Sequence, residues 1–229
     1  MKCLVCGEIL RRQNSWEHIR SVHLEPIGVT QERLFEHALK VAIPIEVRTA
    51  YVTCVSPKDE VIYFSLENAE LLIAFTSEHS KIPWQQVVEW QILHEKGHLA
   101  CRDLYEAPRL ARPHVVMNAE DYYINKYFIQ EKYWPVCELN ARCSTEIRNI
   151  SPLPHELRDT HYYCTLATFI AYDAVVPENC SFLNHQEAYF IEIISKSYRK
   201  IKRIEDIPLV SREVDEAFRS LGPFGTSSQ

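Results

Sequence analysis

The chain has 229 residues, 46% of them hydrophobic, with only 5 glycines and a net charge of −6. That length and hydrophobic share suit one substantial core with a small appendage and exclude a disordered chain, while the acidic balance excludes a general polyanion-binding surface. No apolar run approaches the ~18 residues of a membrane span and the opening "MKCLVCGEIL" lacks a signal peptide's apolar stretch, so no membrane contact and a cytoplasmic location are expected.

The first 23 residues stand apart, basic on balance and holding Cys3, Cys6, His18 and His23. Two residues separate the cysteines, eleven separate the pairs and four separate the histidines. A closed tetrahedral site asks for this arrangement, two thiolates on a tight turn and two imidazoles on one helix face. The stretch resembles a two-cysteine, two-histidine zinc finger, with Leu10 and Trp16 near the positions of its small apolar core. So short a module cannot fold on apolar burial, and a structural Zn²⁺ is expected to supply the folding energy of a domain over residues 1–25. Arg11, Arg12, Gln13 and Asn14 suit contact with a nucleic acid or with a protein partner. The remaining cysteines are expected to be reduced thiols, since Cys137 and Cys143, even with His161 and Cys164, lack a tight metal-binding spacing.

After the connector "LEPIGVT", Thr30 is expected to cap a helix through "QERLFEHALK". Three short runs rich in β-branched and aromatic residues, "TAYVTCVS", "VIYFSL" and "LLIAFT", read as strands, the first two forming a hairpin across "PKDE". A long helix is predicted through residues 77–108, with Pro83 suited to a first helical position and Pro108 beyond its end. Further helices are predicted at "MNAEDYYINKYFIQEKYW", "ELNARCSTEIRN", "TLATFIAYDAV" and "QEAYFIEIISKSYRKI". The fold class is therefore α+β: a finger, a small antiparallel or mixed sheet, an active-site helix and a mostly helical C-terminal half over 135–220.

The predicted long helix contains "HEKGH". Residues i and i+4 share a helix face, so His94 and His98 can hold one Zn²⁺ while Glu95 lies beside it. A zinc with an open position lowers the pKa of its water toward neutrality, and Glu95 as general base takes that proton and returns it to a leaving amine. Gly97 costs roughly 1 kcal/mol against Ala within a helix, a cost that points to a close approach there. A third ligand is required. The metzincin continuation is excluded by Cys101 and Leu104, which leaves Glu106, His114, Glu120 and Asp121.

"HEKGH" followed about twenty residues later by "NAEDYYIN" resembles the zincin metallopeptidases, in the broad gluzincin/aspzincin group. Several families of that group carry a second helix of the form A-x-D-x-x-I-N, matched here by Ala119, Asp121, Ile124 and Asn125. The resemblance covers roughly residues 50–130. It implies a zincin-like domain over 30–229, Asp121 as third metal ligand and Asn125 as a partner orienting a ligand. The gluzincin pairing of Glu with Asp four residues on is not met, so Glu120 stays open beside Asp121. The resemblance further implies an edge strand that binds an extended peptide, for which "LLIAFT" is the candidate, and an oxyanion stabiliser among Tyr122, Tyr123, His161, Tyr162 and Tyr163.

The expected function is a zinc-dependent endopeptidase with one catalytic and one structural Zn²⁺, acting on a peptide or protein substrate. The competing class is a regulatory protein that binds a nucleic acid or protein through the finger and whose HEKGH is structural or inactive.

Overall fold

The computed structural model describes residues 3–9, 15–101 and 111–221. Along the chain run α1 (Gln31–Ala42), β1 (Glu46–Thr49), β2 (Cys54–Ser56), β3 (Val61–Phe64), α2 (Leu66–His79) and α3 (Trp84–Ala100). They are followed by α4 (Pro113–Tyr123), α5 (Trp134–Ile150), α6 (Thr160–Ala171), α7 (His185–Tyr198) and α8 (Ile207–Leu221). Ahead of them, Ser15–His18 is a single helical turn that continues into wide π-type turns at Ile19–Leu24. The described residues are mostly helical and carry a small mixed sheet, an α+β arrangement. No described helix is long and apolar enough to cross a membrane.

The chain divides into two compact units, Met1–Ala100 with Ile129–Cys143, and Cys101–Phe128 with Ser144–Gln229. In the first unit the sheet order is β1-β3-β2, with β1 parallel and β2 antiparallel to β3. The hairpin expected across "PKDE" is β2–β3, and Ser56 Oγ donates to Asp59 Oδ2 at 2.8 Å within its turn. The sheet backs α3, whose Val87, Val88 and Ile92 are fully enclosed among α1, α2 and the strands. Burying each such side chain contributes about 1.5–3 kcal/mol. Lys96 Nζ donates to the carbonyls of Val41 (2.7 Å) and Ile43 (3.2 Å), fastening α3 to the exit of α1.

Three sequence expectations are corrected here. "LLIAFT" is not a strand but the middle of α2. Ser65 caps that helix by accepting from the Asn68 N–H at 3.2 Å, and Ala69, Leu72, Ile73, Ala74 and Phe75 are all buried. A helix buried on nearly every side reads as an unbroken apolar run, which periodicity cannot tell from a buried strand. The helix predicted over 77–108 is broken: α2 ends at His79, residues 80–83 run without helix, and α3 begins at Trp84. The residue before a proline is pushed out of the helical region, which sets the break at Ile82–Pro83. "TAYVTCVS" is a strand only at Cys54–Ser56, and its Thr49 closes the parallel strand β1, which the sequence reading missed.

The finger packs on α2 within the same unit. Arg20 Nε and Nη2 each donate to a Glu70 carboxylate oxygen at 2.9 Å, and Glu70 is 1% exposed. The second unit is a helical assembly in which α6 packs on α4 and α7, and α8 on α4 and α7. Its helices begin on strong caps. Asp159 accepts from the Tyr162 N–H at 2.9 Å, and Asn184 and Glu187 exchange bonds in a capping box. Buried Asp215 accepts from Arg112 and Arg219, at 3.2 and 2.7 Å.

Candidate metal centres

In the finger, Gly7 at φ 77° makes the left-handed turn after Cys6 that glycine takes without a Cβ penalty. Its N–H donates to the Cys3 carbonyl at 3.0 Å and the Cys3 N–H to the Glu8 carbonyl at 2.7 Å, closing the turn that carries both thiols. His18 and His23 come from the adjoining helical turns, and the four ligand atoms lie within 4.8 Å of one another. Cys6 Sγ stands 3.3 Å from His18 Nε2, and Cys3 Sγ 3.8 Å from His23 Nε2. A tetrahedral zinc with bonds of about 2.3 Å to sulfur and about 2.05 Å to nitrogen separates these atoms by about 3.5 Å, so the residues fit a metal ion. Burial first, and the neighbouring His18 second, hold the His23 ring below its ordinary value and so in the neutral form that ligates. Leu10, Arg11, Arg12, Gln13 and Asn14 lie outside the described residues.

On α3, His94 and His98 face each other as the i, i+4 spacing predicts, their rings crossing edge-on at 83°. Their Nε2 atoms are 3.2 Å apart. Two imidazoles on one tetrahedral zinc stand about 3.3 Å apart at their nitrogens, so this pair also fits one cation. Glu95 is 6% exposed. Its charge reaches Cys54 on β2, whose thiol is pushed up by burial and then by Glu95. Gly97 is buried where α3 packs.

In the second unit, Glu120 and Asp121 sit near the end of α4. Glu120 is fully enclosed, and after burial its charge is the next cause raising the Cys101 thiol to about 12. Asp121 is half-buried. His114 is exposed, its ring centroid 5.1 Å from that of His161. Burial, then His114, lower the His161 pKa, while Asp159 and Asp121 act against that shift. Asn125, expected to orient a ligand, donates from its Nδ2 to Tyr172 Oη at 2.9 Å. Glu106 lies outside the described residues.

No family model, curated protein or solved structure matches the chain.

Of the tyrosines considered for the oxyanion, Tyr122 is stacked on Tyr172, and Tyr163 donates to Glu187 at 2.5 Å. Tyr162 lies beside the guanidinium groups of Arg148 and Arg158, 5.4 and 5.6 Å from its ring centroid. Two residues were missed by sequence reasoning. Gln91, 8% exposed, stands three residues before His94 and seven before His98, hence on their face. Its buried Oε1 has no hydrogen-bond partner among the described residues. The i, i+3, i+7 spacing was the available signal. The other is Tyr172, for which the sequence holds no local signal.

Proposed function

We propose that the chain is a zinc-dependent endopeptidase of zincin-like fold, with His94, His98 and Asp121 as metal ligands and Glu95 as general base. The observation that carries this reading is the His94–His98 nitrogen pair at 3.2 Å, set on a helix whose next residue is a buried glutamate. An enclosed carboxylate beside two imidazoles is suited to proton transfer or to neutralising a cation. Zinc held by this set supplies a Lewis acid that acidifies water and polarises a carbonyl. The Glu95 carboxylate takes the proton of the attacking water and carries it to the leaving nitrogen, and Gln91 Oε1 accepts from a water or from the substrate's N–H. Asp121 is preferred over Glu120 because it is half-buried on its own helix, whereas Glu120 is fully enclosed.

The peptide-binding strand of this reading moves from "LLIAFT" to β2, an edge of the sheet with Cys54 in electrostatic reach of Glu95. The finger takes a structural zinc. Because Arg20 is committed to Glu70, any protein or nucleic-acid partner meets a finger already docked on α2.

Metal analysis tests the ligand set. Two zinc equivalents are expected in the wild type, and one in each of His94→Ala and Cys6→Ser. A His94→Ala chain with the wild-type metal content overturns the site.

A further inference from the structure

Asp121 is the last but two residue of α4, and the chain leaves that helix through wide π-type turns at Ile124–Phe128. Such turns inside helices mark functional positions more often than chance, because they displace the residues that follow. Asn125 lies in these turns, buried at 7% exposure, and the Asp121 carbonyl accepts from the Ile124 N–H at the end of α4. Tyr172, 3% exposed, ties the two together: its Oη donates to the Asp121 carbonyl at 2.8 Å and accepts from Asn125 Nδ2 at 2.9 Å. The hydrogen-bond direction is thereby fixed, since the amide can only donate to Oη and Oη then spends its one proton on Asp121.

Tyr172 is itself held firmly. Its ring lies parallel to that of Tyr122, 5.6 Å between centroids and 6° between planes. Arg199 Nη2 donates to the Ile170 carbonyl at 2.9 Å and to Asp173 Oδ1 at 2.5 Å, pinning the end of α6 from which Tyr172 projects. We propose that Tyr172, oriented by Asn125, is a positioning residue that locks the Asp121 turn so that its carboxylate is presented to the metal in one orientation. The proposal rests on Asp121 being the third ligand.

The test uses the full chain loaded with Co²⁺. Thiolate charge-transfer bands report the finger, and the remaining d–d bands and a chelator competition report the other equivalent. Tyr172→Phe keeps the ring stack and removes the proton given to Asp121. Asn125→Asp keeps the volume and diverts that proton to a carboxylate, so it carries the test should Tyr172→Phe fail to fold. Both are expected to weaken the second equivalent by about 10–100-fold and to shift its d–d bands, with the finger bands unchanged. Wild-type affinity and bands in the folded variants, with Asp121→Asn losing that equivalent, overturn the positioning role and leave the ligand in place. Both equivalents retained in Asp121→Asn overturn the ligand reading and the positioning role with it.

Discussion

Glu95 and Glu187 are both enclosed carboxylates, and their surroundings set them apart. Glu187 is saturated: burial alone raises its pKa, but bonds from Tyr163, the Asn184 N–H and Arg158 outweigh it and bring the carboxyl below its usual value. A depressed folded-state pKa contributes stability that is present above the unfolded value and lost as pH falls through the folded one. Stability measured by urea titration is therefore expected to drop as pH falls below about 4.3, and Glu187→Gln is expected to flatten that dependence. Glu95 instead sits beside the paired histidines. Glu95→Gln is expected to keep both metal equivalents and to lower peptide turnover by about 10²–10⁴-fold. Metal content and initial rates on one sample check this. Gln91→Leu removes a buried oxygen that has no partner among the described residues. It is expected to leave the thermal midpoint unchanged or raised while turnover falls, as scanning calorimetry beside a rate assay would show.

At the scale of elements, the finger is a clamp on α2. Glu70 is 2% exposed at its side chain and Arg20 42%, so Arg20→Ala strands a buried charge. Removing one partner of such a pair costs about 3–5 kcal/mol when both are enclosed, and Arg20's exposure brings the expectation to about 2–3 kcal/mol. Urea unfolding checks it. What could be read from the sequence follows the range of each interaction. HEKGH, the C-x₂-C turn and the β2–β3 hairpin rest on spacings of a few residues, and all three stand where expected. The α2 helix was hidden because Leu71–Thr76 is enclosed on nearly every side, which removes the polar stripe that marks a helix. Strand β1 was hidden because Glu46, Arg48 and Thr49 are exposed, leaving Val47 as its one buried residue. Tyr172 meets Asp121 across 51 residues, a distance over which no local pattern operates.

At the scale of the whole chain, the finger and the HEKGH helix are expected to hold metal in opposite ways. The finger set offers four protein ligand atoms, Cys3, Cys6, His18 and His23, the number that closes a structural site. The proposed HEKGH site sets a buried glutamate beside two histidines, a form expected to leave a coordination position open for chemistry. Chelation is accordingly expected to act in two stages, with hydrolysis lost as the more open site empties and unfolding following as the finger empties, seen by activity and circular dichroism in one titration.

Hydrolysis itself is the most direct test. The zinc-loaded full chain is mixed with a library of unstructured peptides, beside a Glu95→Gln chain loaded to the same two equivalents. The expected result is internal peptide-bond cleavage by the wild type and none by Glu95→Gln. Equal cleavage by both chains, or a fully loaded wild type that cleaves nothing in the library, would contradict an endopeptidase centred on Glu95.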